Sequence, residues 1–198
     1  MVPSIRPGCH RLCATQNLPE LVRVQIVVAS LASMLPSRFD AVIAVSGTGS
    51  QPGLIVRPLM PITTVAVAAP RRLGKGPVDF ARVPLLHTRP RSDDWRRWLD
   101  HAGLLAVPVR GGSTFESASQ TLEAVAADLG LGIAIEGLLG PDLQIGRVAI
   151  AHPVRRSRRP TRRHFTLQYD VRFAADPSLA AFADWRSRML DVDRRYPS

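Results

Sequence analysis

The clearest pattern of apolar and polar positions lies between residues 104 and 135. A short apolar run at residues 104–109 ends in Arg-Gly-Gly, which is typical of a buried strand followed by a turn. A second apolar run follows at residues 133–135, after two glycines that would end a helix. The segment between the two runs is long enough for one helix. Apolar residues at helical spacing predict its buried face: Phe115, Ala118, Leu122, Val125 and Leu129. The pattern predicts a strand, a helix and a second, parallel strand.

The start of this helix is the first candidate binding site. Ser113 is a favourable N-cap, and Glu116 stands three residues later, where it can complete a capping box. Ligands of open α/β sheets bind beyond the carboxyl ends of the strands, where Ser113 and Thr114 lie. The N–H groups at a helix start suit an anion, although an ordinary capped turn explains the same residues. Both interpretations stay open at this point.

Shorter patterns predict elements on both sides of this unit. Apolar runs that are typical of strands occupy residues 21–29, 39–45, 54–60, 62–69, 84–87, 147–150 and 164–171. Helical patterns occupy residues 31–35 and 92–102, the latter between a Ser92 cap and Gly103, and a last helix begins at Asp176 and Pro177. Residues 141–146 predict a loop. The alternation of strands and helices predicts an α/β fold with two lobes.

Composition narrows the class of protein. A chain of 198 residues with 45% hydrophobic content is long enough for one domain or two small lobes. Its apolar runs are too short to span a bilayer, and the first residues lack the apolar core of a secretory signal, so we expect a cytoplasmic protein. Cys9, His10 and Cys13 offer three ligands where zinc needs four, so we predict no metal site.

The charge is strongly basic, with 26 Lys and Arg against 16 Asp and Glu and a net charge of +10. The densest basic run lies at residues 155–163, between two apolar segments. Such a run attracts nucleic acid without sequence preference, or forms a solvated loop; it lacks the interleaved aromatic residues that stack on bases. We find no serine elbow, no metal-ligand pattern and no paired carboxylates, so no enzyme and no cofactor are predicted.

Several strings resemble the effector-binding domain of LysR-type transcriptional regulators, most closely the subgroup of the glycine-cleavage activator and the β-lactamase regulator. The strings occur in the family's order: RFDAVIAV at 38–45, PLLH at 84–87, DWRRWL at 94–99, AGL at 102–104, Phe115, the helix at 122–129, GLGIA at 130–134 and AFADW at 181–185. The resemblance covers roughly residues 18–190, and the tryptophan helix is its most specific part.

The resemblance implies a two-lobed, type 2 periplasmic-binding-protein-like fold with an effector cleft between the lobes. Lobe I would comprise about residues 18–69 and 167–190, and lobe II about 70–166, with tails at 1–17 and 191–198. By their positions in the family pattern, seven residues are the expected effector contacts: Ser30, Ser46, Gly47, His87, Ser113, Thr114 and Phe115. For His87, a hydrogen bond to a backbone carbonyl is the alternative.

The function that the resemblance implies is that of a regulatory domain that senses a small molecule. We expect a homodimer, or a heterodimer with a full-length regulator. The family's winged helix-turn-helix has no counterpart in the sequence, and neither do the first strand and helix of the effector domain, so we expect a form truncated at the N-terminus that reaches DNA only through a missing element. The alternatives are a stand-alone solute-binding protein of the same fold and a non-functional fragment.

Overall fold

A computed structural model of the chain describes residues 40–49, 52–74, 78–109, 111–151 and 158–184. They form two compact units. Unit 1 comprises the described residues from 63 to 160, and unit 2 comprises those from 40 to 62 and from 161 to 184. The lobe boundaries predicted from the sequence, after residues 69 and 166, lie further along the chain than the boundaries of these units. The predicted lobe boundaries stay a prediction. The elements predicted at residues 21–29 and 31–35, and the Cys9–Cys13 cluster, lie outside the described residues.

In unit 2, two antiparallel strands pack against a helix. Strand β1 (Val42–Ser46) pairs with β7 (Arg159–Asp170) in a register that places Val42 opposite Gln168 and Ser46 opposite His164. One face of this pair joins the helical residues 177–184 in a core, which contains Ile43, Leu167, Tyr169, Leu179, Phe182 and Ala183. Because side chains alternate along a strand, Ser46 and Thr166 lie on the opposite face of the pair.

The helix of unit 2 starts where the sequence predicts. The Asp176 carboxylate accepts hydrogen bonds from the backbone N–H groups of Ser178 and Leu179, at 2.8 and 3.1 Å. These bonds satisfy donors that have no partner inside the helix. The N-cap prediction is therefore confirmed, whereas the predicted core positions Trp185 and Met189 lie outside the described residues.

The antiparallel part of unit 1 is built on the long strand β2 (Leu54–Ala68), whose second half belongs to this unit. Strand β5 (Gly132–Ile135) pairs with it, Val67 lying opposite Gly132, and β6 (Ala149–Ile150) pairs with it at Val67 and Ala68. The sequence predicts two strands, at 54–60 and 62–69; the structure joins them across Pro61. The end of β2 is fully buried, which explains its uninterrupted apolar sequence.

The parallel part of unit 1 is short. Strand β3 (His87–Thr88) pairs in parallel with β4 (Thr114–Phe115), and helix α1 (Asp94–Ala102) connects the two. The predicted strand at residues 104–109 is wrong: these residues form turns, and the Leu105 side chain is 76% exposed. The parallel strand forms only after Gly111 and Gly112, because the chain first finishes packing against the end of α1.

Helix α1 carries the most specific part of the sequence pattern and is confirmed. Trp95, Trp98 and Leu99 are buried, and the Trp95 Nε1–H group donates to the Leu86 carbonyl at 2.8 Å. Gly103 ends the helix at φ +76°, as predicted. The N-cap is wrong by one residue, since Asp93 takes the position predicted for Ser92.

Helix α2 (Ala118–Ala126) begins one turn later than predicted. Ser117 and Gln120 form the capping box that the sequence analysis assigned to Ser113 and Glu116. The backbone carbonyl of Ser113 instead accepts a hydrogen bond from the His87 N–H at 2.9 Å, so this residue is engaged with β3. The buried face shifts accordingly to Thr121, Ala124 and Val125.

Two further predictions are corrected in the second half of the chain. Residues 141–144, predicted as part of a loop, belong to helix α3 (Gly140–Gln144), which has Pro141 in its first turn and follows a short 3-10 turn at Glu136–Leu138. Strand β7 begins at Arg159, so the described part of the basic run is a strand from that residue onward and not a loop.

Candidate functional site

The parallel pairing of β3 and β4 brings four of the predicted effector contacts together. His87 lies opposite Thr114 in the parallel register, Thr88 lies opposite Phe115, and the His87 N–H donates to the Ser113 carbonyl. Ser113 and Thr114 are exposed, and Phe115 is half-buried. We call this group, together with the residues that directly follow each strand, the strand-end site.

The His87 ring is held by the loop that precedes β4. Its Nε2 atom lies 3.1 Å from the carbonyl oxygen of Gly111. Because a carbonyl only accepts hydrogen bonds, this contact requires the proton on Nε2. The backbone-carbonyl alternative for His87 is therefore present in the structure.

Two glycines make this arrangement possible. Gly111 and Gly112 have φ angles of +100° and +88°, which L residues with side chains rarely adopt. A Cβ atom on Gly112 would also lie 1.9 Å from the carbonyl oxygen of Leu85. The loop passes against the backbone of the segment that leads into β3, and only glycine fits there. The Gly-Gly pair was the signal for this loop in the sequence.

Fewer backbone N–H groups are available to an anion at the start of α2 than the sequence predicts. The Gln120 Oε1 atom accepts from the N–H groups of Glu116 and Ser117, at 3.1 and 3.3 Å. The Gln120 N–H in turn donates to Ser117 Oγ at 3.2 Å. Three donors at the helix start already have partners in the chain, so recognition here depends more on side chains than on backbone amides.

A pair of threonines fixes α2 against β3. Thr121 Oγ1 donates to the Ser117 carbonyl at 3.1 Å and lies 2.8 Å from Thr88 Oγ1. Since the Thr121 proton is used on Ser117, the Thr88 hydroxyl is the donor between the two threonines. Both residues are buried. Sequence reasoning missed this contact, because a threonine on an apolar helix face carries no signal for its partner.

Charged side chains at the strand-end site were also missed. Arg89 directly follows β3 and Glu116 directly follows β4, and an Arg89 Nη2 atom lies 2.8 Å from Glu116 Oε1. Beside them, a shallow groove that is open to solvent over most of its surface runs along α2. Its lining includes Thr114, Phe115, Glu116, Glu123, Ala124 and Leu129.

In unit 2, Ser46 belongs to a polar row on β1 and β7. The Gln168 Nε2 group donates to Ser46 Oγ at 3.0 Å and to Thr166 Oγ1 at 2.9 Å, and the two hydroxyls lie 2.9 Å apart. Ser46 Oγ also donates to the carbonyl of Gly47, at 2.8 Å. Thr166 and Gln168 are buried, and Gly47 is exposed. The bonds orient Ser46 at the end of its strand.

His164 stands opposite Ser46 at the end of this polar row. Its Nδ1 atom is buried and has no hydrogen-bond partner among the residues that the structure describes. A buried polar atom without a partner is costly, and a bound water, ion or ligand is one explanation for it in native proteins. The sequence predicts only that His164 starts a strand, since one histidine in an alternating pattern does not reveal which face it occupies.

The match to known proteins is continuous along the chain. Residues 14–190 match the family model for the LysR substrate binding domain. The chain belongs to this family. Its fold is the α/β fold of the type 2 periplasmic-binding-protein class. The matched range includes β1, α1 and the turn at Gly130.

Individual relatives agree with this membership. The chain is 38% identical over 90 residues to the HTH-type transcriptional regulator TrpI of Pseudomonas aeruginosa, a match that covers 45% of this chain and 30% of the relative. The chain thus spans less than a third of the length of that relative in the match.

Solved structures show the same fold. The effector domain of the regulator AmpR of Pseudomonas aeruginosa is similar with a TM-score of 0.66 and 20% identity, over 85% of this chain and 79% of that one. The AmpR effector-binding domain of Citrobacter freundii is similar with a TM-score of 0.65 and 19% identity, over 78% and 76%. Full-length LysG of Corynebacterium glutamicum with bound effector Arg has a TM-score of 0.56 and 26% identity, over 80% and 53%.

Three predictions for this LysR substrate-binding domain remain: the contact residue Ser30, metal binding and membrane spans. Ser30 lies outside the described residues. Among the residues that the structure describes, no group of three or more His, Cys, Asp or Glu side chains is arranged to hold a metal ion. Within the same ranges, the helices are too short or too polar for a transmembrane span.

Proposed function

We propose that this chain is the regulatory domain of a LysR-type transcriptional regulator and senses a small-molecule effector. The observation that carries the proposal is the match of residues 14–190 to the LysR substrate binding domain. Full-length LysG, with which the chain shares its fold and 26% identity, contains a bound effector, arginine. That precedent supports a small polar molecule as the effector class.

The effector contacts that we propose come from both units. Ser46 and Gly47 would contribute from the polar row of unit 2, and His87, Ser113, Thr114 and Phe115 from the strand-end site, with Ser30 added from the sequence pattern. The unpartnered Nδ1 atom of His164 supports the polar row, because an effector with a hydrogen-bond donor would satisfy it.

The finer assignments are also proposals. The order of the PLLH string and the tryptophan helix supports the subgroup of the glycine-cleavage activator and the β-lactamase regulator. We propose a regulatory role without catalysis, in the cytoplasm, where a transcription regulator meets DNA. Its partner would be a second copy or a full-length regulator, and sedimentation with and without effector would show whether association depends on ligand.

A ligand screen tests the proposed function. The purified chain is heated with amino acids, organic acids, sugars and cell-wall fragments, one at a time, while unfolding is monitored. A ligand that binds only the native state raises the melting temperature, and the increase grows with the logarithm of the ligand concentration once this exceeds Kd. We expect at least one class of compound to give such a concentration-dependent increase. If every compound leaves the melting temperature unchanged at millimolar concentration, the sensing function is wrong.

A further inference from the structure

The ion pair between Arg89 and Glu116 bridges the ends of two parallel strands. Each residue directly follows its strand, and the contact of 2.8 Å joins positions that are far apart in the chain. Both side chains are 66% exposed, so water competes for the pair and it contributes little to stability. The pair is thus free to exchange partners with a charged ligand at low cost.

Several other exposed ion pairs of unit 1 have evident structural reasons. Arg82 with Asp79 and Arg96 with Asp93 join residues three positions apart. The arginines that pair with Asp128 also donate to backbone carbonyls and so fasten the end of α2. The Arg89–Glu116 pair instead stands at the carboxyl ends of parallel strands, the place where α/β folds bind ligands.

The surroundings of the pair specify what would replace it. Glu116 lines the groove along α2, together with the apolar side chains of Phe115, Ala124 and Leu129. The nearby amides of Glu116 and Ser117 are already bound to Gln120. Arg147, which contacts Glu123 on the same groove, is also held by Asp142, whereas Arg89 has Glu116 as its ion-pair partner and can donate to an anion. An anion alone would take Arg89 and leave Glu116 without its partner, whereas a zwitterion satisfies both charges.

We propose that the effector is a zwitterionic amino acid with an apolar side chain. Its carboxylate accepts hydrogen bonds from the Arg89 guanidinium, its ammonium group donates to the Glu116 carboxylate, and its side chain packs on Phe115 in the groove. This assignment rests on the proposed sensing function and names the substrate class of the strand-end site. Arg89 and Glu116 then determine specificity for the two charged groups of the effector.

Calorimetric titration of the full chain with L-leucine, L-methionine, L-phenylalanine and L-tryptophan tests the assignment. We expect saturable binding of at least one of them. Its analogue without the amino group and its analogue without the carboxylate, such as 3-phenylpropanoate and 2-phenylethylamine for L-phenylalanine, should each bind at least about tenfold more weakly, because one charge-assisted contact is lost.

Matched variants assign the effect to the two residues. R89Q and E116Q should each weaken binding of the amino acid at least about tenfold. In R89Q, the amino acid and its analogue without the carboxylate should bind with similar affinity. R96Q, which breaks an ion pair of similar exposure elsewhere in unit 1, should bind as the wild type does. Unchanged melting temperatures in the absence of ligand would confirm that the variants fold.

Two results would overturn the assignment. In the first, a compound from the broader screen binds but the four amino acids do not, which refutes the zwitterion and leaves the sensing function intact. In the second, an amino acid binds the wild type, R89Q and E116Q equally well, which places its site elsewhere. If no compound binds in either experiment, the sensing function fails, and the assignment fails with it.

Discussion

At the scale of single residues, Gly112 is the position that the strand-end site tolerates least. Its φ angle is +88°, and a Cβ atom would collide with the Leu85 carbonyl. We expect G112A to lower the free energy of unfolding by about 2 kcal/mol or more, as strained backbone and steric overlap combine. G74A is the control, because no atom lies within 4 Å of its added Cβ and its φ angle is not positive. Urea denaturation of both variants measures the difference; equal stability would contradict the close approach.

Asp128 is the residue whose charge matters most to the end of α2. Hydrogen bonds from Arg71 and then from Arg72 hold the pKa of its carboxyl below the ordinary value of 3.8. A depressed pKa stabilises the fold above the unfolded-state value, and that contribution disappears as the pH falls through the folded-state pKa.

D128N should therefore be less stable than the wild type at neutral pH, and the two proteins should converge as the pH falls below 3.8. Asparagine is the suitable replacement, because it tolerates the residue's φ angle of +65°. Chemical denaturation over a pH series gives the comparison. A stability difference that stays constant with pH would show that the carboxylate charge does not contribute.

At the scale of elements, helix α2 shows how two similar signals compete. Ser113 with Glu116 and Ser117 with Gln120 both satisfy the capping-box pattern, and the pattern alone does not rank them. Pairing with β3 engages the Ser113 carbonyl, which leaves Ser117 to begin the helix.

S117A should consequently lose about 1 kcal/mol of stability, the usual contribution of an N-cap hydroxyl. S113A should change stability by less than about 0.5 kcal/mol, since its side chain is exposed and its backbone contact is kept. Thermal unfolding of the two variants compares the caps directly. A larger loss in S113A would support the helix start that the sequence pattern favours.

Elements with strong local signals were predictable, and those that depend on distant pairing were not. The tryptophan pattern and Gly103 fix helix α1, and Asp176 fixes the start of the last helix, because each signal acts within its own turn. The strand Thr114–Phe115 was missed, since its two residues are recognisable only from their pairing with His87 and Thr88. Residues 104–109 are apolar enough for a strand but pack against the end of α1 instead.

At the scale of the whole molecule, the α/β class and the family followed from the order of weak motifs. Only some of the residues at the candidate site could be predicted from the sequence. His87, Ser113, Thr114 and Phe115 do lie together, because their two strands pair in parallel and the His87 N–H donates to the Ser113 carbonyl. The Arg89–Glu116 pair and the Nδ1 atom of His164 were beyond reach, as they depend on the register between strands and on which face each residue occupies.

The most direct test of the account is calorimetric titration of T114V with the ligand found by screening. This variant removes one hydroxyl from the strand-end site, and S92A provides an exposed control. The account predicts that T114V weakens binding of the ligand about three- to tenfold, while S92A leaves it unchanged. Unaltered affinity in T114V would contradict it.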